Sequence, residues 1–436
     1  MVELPLHHGL CDGFVRRGRV TGVQSGRVVV CMPFVQHGAI VEITRHDGSV
    51  AHAEAAELFE SGAICTPLDS IDGIALGAPA STTQAAIGAY AGPELLGQVV
   101  DAWGRPENGR RPQAGPRTAA VPLAQRAPVT RPLHTGVAAI DAFCTLGKGQ
   151  RVGLFAGAGV GKSTLLRQIA DGVECQAHVL ALIGERAREA NETIDAMRAS
   201  DRWRQTTIVC ATAGAPAADR LAAMQSALAQ ADWLCAQGAD VLFTLDSLTR
   251  VAQAWREVAL GAGQPAAQRG HPASMPQLLA SILERAGQRT CGSITAVCAV
   301  LVDGDDPFEP VSDAARALLD GHIMLSRTLA DAARYPAIDI LRSSSRLMRA
   351  LTSRQQRQDA ALLRRALYSL EESADLVQIG AYQRGADAWL DAALDVRAEL
   401  EAWLFSDDGT RPDGREILAR IAARLRSLAG QETPLA

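Results

Sequence analysis

Arg151-Val152-Gly153-Leu154-Phe155-Ala156 runs straight into Gly157-Ala158-Gly159-Val160-Gly161-Lys162-Ser163-Thr164, and this stretch decides the fold. An apolar run of strand length passes into a glycine-rich turn, and helical spacing follows over residues 163–171. Glycines let the backbone curl so that successive N–H groups point at phosphate oxygens, while the helix N-terminus faces the same anion. Lys162 is placed to reach the β- and γ-phosphates, and the Ser163 hydroxyl to ligate Mg2+. Residues 157–164 therefore read as a loop for Mg–ATP. Its strict pattern has Gly where this chain has Ala156, a change of little weight if Ala156 closes the strand. Composition singles out the same position. Lys148 and Lys162 are the only lysines, and every other basic residue is arginine. A chain that writes arginine by default keeps the compact, flexible ammonium where it matters.

Further apolar runs at 178–183, 207–211, 241–245 and 294–302, separated by helical stretches such as 217–237, predict strands buried on both faces. Strands alternating with helices imply an α/β unit whose parallel sheet is covered on both sides, with ligands beyond the carboxyl ends of the strands. Upstream, short β-type runs at 27–32, 39–44 and 62–67, with turn signals Asp47-Gly48 and Asp72-Gly73, suggest a small barrel or sandwich. Residues 104–132, rich in Pro, Gly and Arg, read as an extended connection. Beyond residue 350 the β-type runs vanish and Arg, Glu, Ala and Leu at helical spacing reach the end, with residues 430–436 expected to fray. The division expected is 1–90, 91–350 and 351–436.

Two carboxylates complete the site. Val241-Leu242-Phe243-Thr244-Leu245-Asp246 is an apolar run ending in Asp, the Walker B form that holds the metal's ligand shell. The run 178–183 ends in Gly184-Glu185-Arg186, at the same sheet edge as the loop, which makes Glu185 a candidate to activate water. Spacing alone favours a solvated carboxylate in a helix first turn, since Glu189 and Glu192 lie close behind.

Composition excludes several classes. Aromatics are 4% and the formal net charge is −5, and acidic residues outnumber basic ones in the N-terminal β region. Neither a stacking platform nor a field for phosphate backbones results, so no nucleic-acid partner is expected. The nine cysteines lack CxxC spacing and read as reduced thiols of a cytoplasmic chain. His7, His8 and Cys11 have no further ligands at finger spacing. Neither a signal peptide nor a run of about 20 apolar residues is legible.

The segments GLFAGAGVGKSTLL, ALIGERARE, DSLTRVAQAWREVAL, ERAG, DGHIMLSR and YPAIDILRSSSR occur in that order. Together they resemble the type III secretion ATPases, relatives of the catalytic subunit of rotary ATP synthases, from about Gly18 to Asp391. The resemblance implies a barrel-like N-terminal domain, a RecA-like P-loop core and an α-helical C-terminal domain. It implies six identical subunits in a ring with ATP at each boundary. It assigns the catalytic carboxylate to Glu185, against the reading from spacing, and the Walker B acid to Asp246. Arg186 and Arg250 match arginines lining the phosphate site, Tyr335 an aromatic near adenine, and Arg346 the arginine finger a neighbour inserts. It further implies ATP hydrolysis coupled to chaperone release and export, with stator and central stalk proteins, chaperone–substrate complexes and a membrane export gate as partners. The location expected is cytoplasmic, peripheral to the inner-membrane apparatus.

The chain departs from the family pattern at Ala187, at Gln268-Arg269-Gly270-His271-Pro272 and over 303–311, changes that leave the phosphate-binding residues intact. A short lead before the barrel, and Ile340-Leu341 where flagellar relatives tend to carry an acidic residue, favour an injectisome over a flagellar machine. Two rivals remain open: an RNA-dependent hexameric translocase, which calls for a basic, aromatic-bearing N-terminal domain, and a non-catalytic ring subunit, which should lack the carboxylate at Glu185.

Overall fold

In the computed structural model, residues 15–24, 27–67, 70–82, 90–108, 121–302, 309–405 and 414–430 are described. Part of the connection 104–132, most of the departing segment 303–311, the final residues and His7, His8 and Cys11 lie outside them. Six antiparallel strands between Arg16–Gln24 and Pro79–Thr82 close into a barrel, so the barrel-or-sandwich alternative resolves to the barrel. Its core is filled by small and β-branched side chains, among them Val28, Val41, Ile43 and Ala53. Closure leaves no free strand edge along the wall. Arg27 donates to the Ala262 carbonyl (2.7 Å) and His52 stacks on Trp103, tying the barrel to the α/β unit.

The central sheet runs in the order Gln98–Val100, Thr206–Ala211, Ala177–Ile183, Asp240–Asp246, Ser293–Leu301, Arg151–Ala156, Gly321–Leu325, Ile338–Ser345, with the short strand Gly287–Gln288 paired antiparallel to Ser293–Leu301 off this order. The first seven are parallel, and the last pairs antiparallel with Gly321–Leu325. The five long apolar runs lie within one or two residues of their expected bounds. Four strands of this sheet escaped the sequence reading, the two-residue Gly287–Gln288 among them. Gln98–Val100 is too short to show a period, Gly321–Leu325 alternates with less buried positions, and Ile338–Ser345 ends in polar Arg342-Ser343-Ser344-Ser345.

Helices cover both faces. The long helix Ala217–Ala236, buried along most of its length, joins one apolar core with Phe243, Leu245 and Val300. The other face carries the P-loop helix Lys162–Gly172, and the C-terminal helices Arg354–Glu372, Ala388–Leu404 and Gly414–Leu428 share its core. Arg364 fixes that junction, donating to the carbonyls of Phe143 (2.8 Å), Ile340 (2.6 Å) and Ser343 (3.1 Å).

One polar pair lies inside the sheet. His178 Nε2 stands 2.7 Å from the Thr244 hydroxyl, both fully buried. Burial and the nearby Arg202 charge hold the imidazole down at about 3, so it stays neutral in the fold. The unfolded chain takes up that proton near pH 6.5, so this stability is present above pH 6.5 and lost as pH falls toward 3. Replacing the pair by His178→Leu with Thr244→Val should flatten the fall of the urea midpoint between about pH 6.5 and 4. An unchanged slope would show that other groups carry it.

Candidate active site

The carboxyl ends of the parallel strands converge on the P-loop. Strand Arg151–Ala156 delivers Gly157, with Ala156 as its last residue. Gly159 (φ 77°) and Gly161 (φ 92°) take left-handed backbone that a β-carbon would strain, and helix Lys162–Gly172 begins directly after. Ala158, Gly159, Ser163 and Thr164 face solvent, while Val160 plugs into the core beneath. The loop is thus open on the side where backbone amides would meet phosphate.

Lys162 bridges the two carboxylates. Its ammonium donates to Glu185 Oε1 at 3.1 Å and to Asp246 Oδ1 in a close contact, with all three side chains largely shielded from water. Register explains the meeting. Asp246 pairs with Leu182 at the end of adjoining strands, so Glu185 emerges three residues later at the same edge. Burial opposes the Lys162 charge, but Asp246 and Glu185 outweigh it and hold the ammonium above its usual value. Burial pushes Asp246 up to about 6; Lys162 pulls it down and the Glu185 charge pushes it up again. Burial also opposes ionisation of Glu185, yet Lys162, a hydrogen bond with Asp246 and the Arg250 charge hold it below the ordinary range. One cation shared by two carboxylates gives its full benefit to only one of them.

Gly184 (φ 76°) lets strand Ala177–Ile183 turn into Glu185. A β-carbon there would lie 2.7 Å from Cβ of Arg250, so the turn is packed directly on that arginine. Arg250 stands on helix Leu248–Gly261, capped by the Ser247 hydroxyl, and its Nη1 donates to Gln253 (3.2 Å). The Tyr335 ring leans on the other flank, 3.4 Å from where a β-carbon of Gly161 would sit, with its hydroxyl donating to the Ala330 carbonyl (3.3 Å). Arg186 is not drawn in: it is exposed and paired with Glu189 at 3.0 Å.

Arg346 lies elsewhere. Strand Ile338–Ser345 is antiparallel, with Ser345 opposite Gly321 and Ile338 opposite Leu325, so Arg346 emerges at the edge away from the P-loop. The length of the neighbouring P-loop strand separates that level from the loop, about 20 Å at the usual rise per residue. No rotamer brings its guanidinium to the loop of its own chain.

The sequence reading missed Arg327, whose Nη2 donates to the Ala158 carbonyl (3.1 Å) and flanks Gly157. It sits at the end of the segment DGHIMLSR, just past the strand beside the P-loop strand, and that position was its signal. Among the described residues no three His, Cys, Asp or Glu side chains form a metal cluster, all eight cysteines are free, and no helix is long and apolar enough to cross a membrane.

A glycine loop between a buried strand and a helix, with its lysine held by two strand-end acids, defines a P-loop nucleotide-binding protein. Comparison with known proteins narrows the class. Residues 136–345 match the ATP synthase alpha/beta family, nucleotide-binding domain, and residues 352–423 the T3SS EscN ATPase C-terminal domain. The SPI-2 type 3 secretion system ATPase of Salmonella typhimurium is 40% identical over 412 residues, covering 93% of this chain and 94% of that one. The flagellum-specific ATP synthase of Bacillus subtilis is 36% identical over 431 residues, 97% of each chain. The assembled ATPase EscN of the enteropathogenic E. coli type III secretion system superposes with TM-score 0.85 at 32% identity, covering 93% of this chain and 100% of that one. The chain belongs to the type III secretion ATPase family and is an ATP hydrolase.

Gly184→Ala tests the turn that carries Glu185. The added methyl must displace Arg250 and strain a left-handed residue, so turnover should fall about a hundredfold while the fold survives. Wild-type turnover in that variant would show that the turn does not set the position of Glu185.

Proposed function

We infer that this ATPase works in a type III protein secretion apparatus, where hydrolysis of Mg–ATP drives chaperone release and the unfolding and export of secreted proteins. The observation that carries the reading is the convergence of Lys162, Glu185 and Asp246 beside an open glycine loop. Amides of residues 157–164 and the Lys162 ammonium would hold the β- and γ-phosphates. The Lys162 ammonium bridges both acids, and a phosphate in the loop would compete for it and release them. Glu185, kept ionised, then orients and deprotonates the attacking water. Arg250 steadies Glu185 and the phosphates, Arg186 swings in from its exposed pair, and Tyr335 packs beside the adenine.

The donors near the loop suit a magnesium ion. The Ser163 hydroxyl and the Asp246 carboxylate are hard oxygen ligands, and Mg2+ prefers one or two such ligands with phosphate and water completing its shell. When bound it would supply charge neutralisation at the phosphates.

Arg346 supports a ring. Its place on the edge away from its own loop fits a finger offered to a neighbouring copy, where a planar cation meets charge developing on the transferring phosphoryl group. EscN has been solved assembled and in complex with its central stalk EscO, the latter matching with TM-score 0.83. A homohexamer with a central stalk, a stator, chaperone–substrate complexes and an export gate as partners is the corresponding reading here, with a cytoplasmic location at the inner-membrane apparatus and no nucleic-acid partner. The division into 1–90, 91–350 and 351–436 accords with a barrel ending at Thr82, a sheet spanning Gln98–Val100 to Ile338–Ser345, and helices from Arg354 onward.

Glu185→Gln should keep ATP binding in calorimetry and lose hydrolysis by about a hundredfold or more; near-normal turnover would remove Glu185 as the base. Because the finger comes from another copy, specific activity should climb steeply with protein concentration. Activity strictly proportional to concentration in a verified monomer would defeat the ring reading.

A further inference from the structure

Helix Pro310–Leu318 carries a cation on an apolar bed. The Arg316 guanidinium lies 5.1 Å over the buried Phe155 ring, with Nη2 at 4.0 Å from the Met324 sulfur and Nε buried without a hydrogen-bond partner. No carboxylate among the described residues forms an ion pair with it. Asp320, one turn on, is spent on Arg151 at 3.1 Å, and Glu309 caps the start of the helix. A half-buried guanidinium in such a place is costly unless something charged meets it in the working state.

The finger is held by the same residue. Arg346 Nη2 donates to the Arg316 carbonyl (3.0 Å), in the last turn of the helix where carbonyls lack intrahelical partners. Arg346 has no carboxylate partner among the described residues either. Both cations press on His322, whose ring packs edge-on to Phe155: burial and the Arg316 and Arg346 charges hold it below its usual value, against the Arg342 backbone, which favours the charged ring. The finger is therefore parked on a neutral carbonyl and accompanied by a second arginine that no described carboxylate neutralises. A carboxylate in that place would lock it as a salt bridge.

We propose that Arg316 is a positioning residue for the reaction: its charge and its backbone carbonyl set Arg346, which meets the terminal phosphates of the nucleotide held by the neighbouring copy. This rests on the reading of Arg346 as a finger acting between copies and adds a second residue to it. Both charges bear on the His322 ring, and an arriving polyanion offsets the positive charge gathered around it, so the pair is poised toward phosphate. Arg316 acts through its charge on Arg346 and through the carbonyl that parks it. Replacing the side chain removes the charge and leaves the carbonyl in place.

The test uses the full-length protein under assembling conditions. Arg316→Gln should lower kcat about tenfold with KM for ATP within about twofold, and Arg316→Lys should recover most of kcat. Arg316→Met, which keeps the packing on Phe155 and Met324, should behave as the Gln variant. The decisive measurement is mixing. Arg316→Gln subunits retain Glu185, and Glu185→Gln subunits retain Arg316, so rings of both should exceed the mean of the two pure preparations. Wild-type kcat in Arg316→Gln, or a mixture giving only that mean, overturns the proposal. An Arg346→Ala mixture with Glu185→Gln separates the layers. A gain there without one for Arg316 refutes Arg316 alone, and no gain in either refutes the finger reading and the proposal with it.

Discussion

A single ammonium shared between two buried carboxylates organises this molecule. Lys162 sits at the start of a helix, Asp246 at the end of one strand and Glu185 just past the end of another, and only a parallel sheet brings those termini to one edge. The charges balance poorly in the free site. Asp246 is pushed to about 6 by burial while Glu185 stays low, because one cation cannot fully satisfy two anions. That imbalance leaves two buried acids short of positive charge at the edge of the loop. The same low exposure that makes the triad strong would make it costly with any member missing.

The second constraint is direction. Seven strands point their carboxyl ends at the loop; the short Gly287–Gln288 runs back against one of them, and Ile338–Ser345, at the end of the sheet, points the other way. That one reversal puts Arg346 on the far edge, out of reach of its own nucleotide. The C-terminal helices reinforce the placement, since Arg364 binds the carbonyls of Ile340 and Ser343 on the strand that ends just before Arg346. Helix Pro310–Leu318 holds Arg346 from the other side through the Arg316 carbonyl. Movement of either element would move Arg346, so the fold ties this side chain mechanically to the helical region.

The chain's preference for arginine becomes intelligible in these terms. Arginine is always charged and makes several directed bonds, which suits the carbonyl latches of Arg27, Arg364 and Arg346. Lysine is a compact point charge on a flexible stem. One of the two retained lysines pairs with Asp240 at 3.2 Å and the other serves the P-loop.

What the sequence by itself determined was local. The glycine loop, its lysine and the apolar runs leading to Asp246 and Glu185 are legible because a strand buried on both faces must be continuously apolar, and a phosphate-binding turn must be rich in glycine. The barrel and the helical end were legible for similar reasons of period and turn chemistry. What only the tertiary structure decided was which ends meet. Spacing left Glu185 looking like an ordinary first-turn carboxylate, because its distance to Lys162 depends on a strand order that no local pattern encodes. Arg327, Arg316 and the buried His178–Thr244 pair carried no periodic signal at all. The antiparallel strand that takes Arg346 away from its own loop was masked by its polar end. Backbone preference acts over a few residues, whereas strand order is fixed by burial of the whole sheet, and the reach of the finger is set by the second.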